Sequence, residues 1–307
     1  MFVSLNTMNR GLLGAVLLSA CTTHSALGVI NAPLTKVSYN SHEGDFPNRS
    51  IEGFSITVNY SGSAEEEALF DAAAAAWESR ITGYRGVMSV STVTINASVE
   101  PIDGAGGILG SAGPDSASIQ DEDGLAGGNK FALVTEGSMS FDSADAAALT
   151  ASVIEHEMGH VLGFGTLWNT DSLGGVFAGT QALYTDGSGQ FTGAAATARW
   201  QSEFGQTEAY VPVELDGGPG TANGHWDEVN GGAGLTGINQ TITGNDMRNE
   251  LMTGWLNTPT FVSQMTLDSL YDIGFMVVPE PSAYAALLGC IALAIAIGRS
   301  RRRATKF

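Results

Sequence analysis

The segment Phe54-Ser-Ile-Thr-Val-Asn-Tyr60 alternates apolar with polar positions and is rich in β-branched residues, a period-two pattern that predicts a strand. Ser63-Ala-Glu-Glu66 follows with the spacing of a capping box, in which the Ser63 hydroxyl takes the Glu66 amide and the Glu66 carboxylate reaches back. Asp71 and Ala72–Ala76 carry the helix on to about Ile81, with Gly83 as its stop. Alternation returns over Val87–Val99, through Val90, Val93 and Ile95, and predicts a strand paired with the first. Residues 103–128 are rich in Gly, Asp and Ser and predict a long loop carrying Asp115, Asp121, Glu122 and Asp123. Such carboxylates are Ca2+ ligands by chemistry, but no regular ligand spacing is present, so a solvated acidic loop is the preferred reading. Phe131–Phe141 predicts another strand. Ser143, as N-cap, opens an Ala-rich helical pattern that runs to Leu162 without Gly or Pro before Gly159. Residues 165–250 are Gly/Thr/Asn-rich and irregular, and a last short helix starts near Ser263 or Thr266 with Leu267, Leu270 and Ile273 on it. No internal repeat is evident along the chain.

Both ends of the chain read as addresses rather than as core. Arg10 precedes the apolar stretch Gly11–Ala20, the pattern of a secretory signal over residues 1–28. Ala26-Leu27-Gly28 suits ordinary signal peptidase, and Leu18-Ser19-Ala20-Cys21 resembles a bacterial lipobox, so both processing routes stay open. Pro279-Glu280-Pro281, the apolar segment 283–298 and an Arg cluster close the chain. Sixteen residues rise about 24 Å, short of the ~30 Å hydrocarbon core, although terminal arginines can snorkel. That order resembles the PEP-CTERM sorting signal of residues 279–307. The resemblance implies a Gram-negative bacterium, an exosortase as partner and transient membrane residence through 283–298. It also implies final placement at the cell envelope, the surface or the extracellular matrix.

Charge narrows the function further. The chain holds 13 Lys+Arg against 32 Asp+Glu, but one cation lies before residue 28 and five lie in the last nine residues. Residues 29–278 therefore keep seven bases and 31 acids, a net −24. A field of that sign repels phosphates, which excludes nucleic acid as a partner. The body has no cysteine, so disulfides and thiolate ligands are also excluded there.

The chemistry sits in His156-Glu157-Met158-Gly159-His160. Residues four apart on a 3.6-residue helix share a face, so both imidazoles can hold one tetrahedral ion, for which Zn2+ is the natural choice. Glu157 lies about 100° around the helix, beside the ion rather than on it, where a general base belongs. Val161-Leu162-Gly163 follows, and Gly163 can end the helix in a left-handed conformation. Only His42, His156, His160 and His225 occur outside the signal. His225, in a Gly-flanked loop 65 residues after His160, is the candidate third ligand, with Glu203 and Asp227 as carboxylate rivals.

In order along the chain stand His-Glu-x-x-His-x-x-Gly-Phe164, His225-Trp226, Glu250-Leu-Met-Thr-Gly254, Met265-Thr-Leu267 with Leu270, and Asp272-Ile-Gly-Phe275. The span His156–Phe275 resembles the leishmanolysin-like metzincin peptidases. The resemblance implies His156, His160 and His225 as Zn2+ ligands, Glu157 as general base and Met252 as the Met-turn residue beneath the metal. It implies a two-lobed α+β metallopeptidase domain over 29–278, with an N-lobe of about 50–164, a C-lobe of about 165–278 and a horizontal cleft for protein or peptide substrates. A monomer is expected. Metzincins usually place a third His where this chain has Thr166, and leishmanolysins use disulfides and a prodomain cysteine that this chain lacks. The alternative is a non-catalytic matrix or surface protein in which zinc is only a structural staple.

Overall fold

Local chemistry starts the first helix. In the computed structural model, which describes residues 16–17, 36–39, 53–85, 91–106, 108–122, 129–218, 220–228 and 234–278, the Glu66 amide donates to the Ser63 hydroxyl oxygen. The Ser63 amide and hydroxyl donate back to the Glu66 carboxylate. The leader 1–28 apart from 16–17, Cys21, His42 and the tail 279–307 lie outside the described residues. Among the described residues, no helix is long and apolar enough to cross a membrane.

The elements run β1 (Val16–Leu17), β2 (Lys36–Tyr39), β3 (Ser55–Asn59), α1 (Ala64–Glu78), β4 (Ile81–Tyr84), β5 (Thr92–Glu100), β6 (Gly110–Asp121) and β7 (Lys130–Asp142). They continue with α2 (Ala151–Val161), β8 (Gln190–Phe191), α3 (Ala194–Glu203), β9 (Val211–Pro212), β10 (Trp255–Leu256), α4 (Gln264–Asp272) and β11 (Phe275–Val277). The fold is α+β, built on a mixed five-stranded sheet in the order β2-β6-β7-β5-β3. Strands β3, β5 and β7 are mutually parallel, and β6 runs antiparallel to β7. Helix α1 packs on β3, α2 packs on β6 and β7, and the two helices pack on each other. Phe70, Trp77, Val93, Ile95, Phe141, Ile154 and Met158 fill the layer between them and are buried. The Trp77 indole N–H donates to the Glu155 carbonyl at 2.8 Å, which ties α1 to α2.

Four elements differ from the sequence pattern. Residues 110–121 form β6 instead of part of a loop, paired with β7 along its whole length. Its Gly, Ala and Ser positions have weak strand propensity, but they suit a strand pressed against α2. A Cβ on Gly110 would stand 3.0 Å from Phe141 Cδ1 and 3.3 Å from Glu157 Cδ. The helix predicted from Ser143 divides into a 3-10 segment, Ser143–Ala148, and α2. Asp142 caps the first piece and Thr150 the second, because hydroxyl and carboxylate groups compete for amides that would otherwise continue one helix. Helix α1 stops at Glu78, and Ile81–Tyr84 instead pairs with β11, burying Ile81. Within the irregular stretch, Ala194–Glu203 is helical, and its first amides are held by a remote side chain: Ala195 and Ala196 both donate to the Asp272 carboxylate.

Gly163 follows the end of α2 at φ +108°. A Cβ there would meet Ile273 Cδ1 at 2.9 Å and Leu167 Cδ1 at 3.0 Å. Gly163→Ala is expected to cost about 1–3 kcal/mol from backbone strain alone. A denaturant midpoint equal to that of the parent protein would show that the turn relaxes freely.

Candidate metal centre

Helix α2 presents two imidazoles and the loop after β9 presents the third. The Nε2 atoms of His156, His160 and His225 form a triangle with every side 3.1 Å. All three side chains are buried, and among the described residues this trio is the one group of three or more ligating side chains that could hold a metal ion; neither Glu203 nor Asp227 belongs to it.

Each ring is oriented from behind. His156 Nδ1 lies 2.6 Å from the Leu251 carbonyl, His160 Nδ1 2.9 Å from that of Phe164, and His225 Nδ1 2.8 Å from that of Thr221. A carbonyl can only accept, so each Nδ1 carries the proton and each Nε2 turns a lone pair inward. Burial holds His156 down at about 3 and His225 at about 4. His160 is pushed well below the ordinary imidazole value by burial and then by the neighbouring His225 and His156. Three neutral imidazoles with converging lone pairs repel one another unless a cation lies among them. Donor atoms 3.1 Å apart fit one ion at the ~2.0–2.1 Å metal–imidazole distance, and the carbonyls behind the rings are the usual outer-shell partners.

Glu157 occupies the same helix but stands apart from the triangle. It is fully buried, neither carboxylate oxygen has a hydrogen-bond partner among the described residues, and burial pushes its pKa up to about 8. Buried polar groups without partners are rare in native proteins and concentrate where chemistry is done. Its carboxyl carbon lies next to Gly110, where β6 meets α2.

The third histidine is delivered by long-range contacts. The Trp226 amide donates to the Met252 carbonyl at 3.0 Å and its indole N–H to the Thr266 hydroxyl at 2.9 Å. The Trp226 ring stacks on Trp168 with centroids 5.2 Å apart, and Phe164 and Phe191 close around it edge-on. The chain at Gly165 passes so close to Gly224 that a Cβ would lie 2.4 Å from its carbonyl oxygen. Asn223, at φ +69°, turns the loop and accepts from the Tyr184 hydroxyl at 2.5 Å.

Met252 sits under α2. Its Sδ and Cε would lie 2.8 Å from a Cβ placed on Gly159, so the thioether packs on the helix between the two histidine turns. Glu250 holds this turn in place. It accepts from the amides of Met252 and Ser263 and the hydroxyls of Ser263 and Thr266, although burial pushes its pKa to about 7. Glu203 caps α4 instead, accepting from the Gln264 and Met265 amides. The Thr166 hydroxyl donates to the His160 carbonyl at 2.7 Å, so it seals the helix end. Glu250 and Trp226 were missed as positioning residues, although Glu-Leu-Met-Thr-Gly and His-Trp both stood in the sequence as signals. The carboxylates of 103–122 do not converge: Asp103 accepts from the Ile108 amide, and Glu122 pairs with Arg85 and Asn129. No family model matches the chain, and no curated protein matches it.

Proposed function

We propose that the protein is an exported zinc-dependent endopeptidase of the leishmanolysin-like metzincin kind. The observation that carries this reading is the contrast within one helical turn. Two imidazoles join a third around one point, while the adjacent carboxylate, Glu157, is buried and unpartnered beside them. A purely structural metal site has no use for such a carboxylate, which disfavours the staple alternative.

Zinc suits neutral imidazoles, and His156, His160 and His225 would hold it; bound there it would polarise a carbonyl as a Lewis acid and lower the pKa of water. The chain's own residues supply the rest. Glu157, ionised beside a cation, accepts the proton of the attacking water on a carboxylate oxygen and delivers it to the leaving amine. The carbonyls of Leu251, Phe164 and Thr221 keep the three rings in one tautomer through the cycle. Met252 gives the site an apolar floor. The two-lobed reading has α1, α2 and the mixed sheet on one side of the site, and the loop-rich part with α3, α4 and the Met252 turn on the other. Strand β6 borders the site at Gly110, and among the described residues its outer side is paired, by β2, at Ser116–Ile119 and not at 110–115. An extended peptide laid along that border would add to the sheet by main-chain hydrogen bonds. Export through the leader and sorting through the Pro-Glu-Pro tail complete the proposal.

The test is hydrolysis of casein and of a peptide library by the purified protein. Cleavage should stop on treatment with a zinc chelator and return on adding zinc. A protein that keeps one zinc per chain and cleaves neither substrate would refute the enzyme reading.

A further inference from the structure

A second pair of acids flanks the turn that carries His225. Glu228 is fully buried, and neither of its carboxylate oxygens has a hydrogen-bond partner among the described residues. Glu214 is 5% exposed; its Oε1 accepts from the Asp216 amide at 2.5 Å. The two side chains meet over Gly254: from the position a Cβ would take there, Glu228 Oε2 is 3.8 Å away and Glu214 Cγ 3.9 Å away. Burial and then the Glu214 charge push Glu228 up to about 8. Glu214 itself is raised by burial and by the charges of Asp227 and Asp216. No Lys or Arg occurs between Trp200 and Met247 to answer these charges.

Protonation alone does not resolve the arrangement. A protonated Glu228 would carry a buried O–H that itself needs an acceptor, so protonation exchanges one demand for another. A hard divalent cation satisfies both carboxylates at once, and carboxylate oxygens held by an irregular loop suit calcium's variable coordination better than the stricter octahedron of magnesium. We propose that Glu214 and Glu228 form a calcium site above Gly254. Its role follows from its neighbours. The Glu214 amide donates to the His225 carbonyl at 2.9 Å, and the Glu214 carbonyl accepts from the Asn223 amide at 2.7 Å. Glu214 thus brackets the turn that aims His225, and a cation there braces the third histidine from behind. The proposal does not depend on the peptidase reading.

The experiment uses the purified protein with zinc bound, freed of calcium by a calcium-selective chelator. Terbium is titrated in as a luminescent calcium substitute, with Trp226 close by as sensitiser, and thermal unfolding is followed with calcium added. Expected are one saturable terbium site per chain, displacement by calcium, and an unfolding temperature several degrees higher in millimolar calcium. Glu228→Gln, which keeps the shape and removes the charge, should abolish both signals while leaving the zinc content and far-ultraviolet circular dichroism intact. Glu214→Gln should weaken calcium binding by at least tenfold. Absence of a saturable site in the parent protein, or terbium and calcium responses in Glu228→Gln equal to the parent's, would overturn the proposal.

Discussion

Glu157→Gln should bind metal as the parent does and cleave peptide roughly 10²–10⁴-fold more slowly, the usual worth of a general acid–base group. The substitution keeps the volume and the position on α2, so the three imidazoles lose nothing they touch. It removes the one group in the site able to take a proton. Glu157 is buried with both oxygens unpartnered, so the neutral amide is also expected to fold at least as stably. The measurement pairs kcat on a fluorogenic peptide with zinc content and unfolding temperature. Turnover equal to the parent's would remove Glu157 from the chemistry, and loss of zinc together with activity would make it a ligand.

His225→Ala should weaken zinc binding by more than about 100-fold, beyond the 10–100-fold typical of an outer-shell change. Two imidazoles on one helix turn remain, but a two-ligand site is open and weak. Among the described residues no further histidine or carboxylate groups with the trio, and Glu203 caps α4. The Trp226 anchor to Thr266 and Met252 should hold the loop near its place, so circular dichroism should change little. Competition with a calibrated zinc chelator reads the affinity directly. Near-parental affinity would mean that a different residue completes the site.

Legibility of the fold followed the range of the forces. Ser63 and Ser263 start α1 and α4 as their sequences foretell, because a cap needs only residues within one turn. The strands over 55–59 and 130–142 could be read from alternation and β-branched content. Strand β6 could not, because Gly110-Ser-Ala-Gly-Pro-Asp115 has loop composition and becomes a strand only by pairing with β7 under α2. The same holds for α3, whose N-terminus is capped by Asp272, 77 residues from Ala195. The split of 143–162 was hidden for a different reason: Asp142 and Thr150 compete as caps inside one continuous helical pattern.

At the site, the spacing of His156, Glu157 and His160 determined their shared and separate faces, since helical periodicity is a property of a few consecutive residues. The scarcity of histidine narrowed the third ligand to few candidates. Only the tertiary structure decided among them, because bringing His225 to 3.1 Å from residues 65 and 69 positions away depends on burying Trp226 against Trp168 and on the Glu250 hydrogen bonds. Burial likewise turned Glu157, Glu228 and Glu250 from ordinary acids into high-pKa groups with three different fates. Sequence lists the charges; desolvation and the presence or absence of a partner, which exist only once distant segments pack, decide what each charge does.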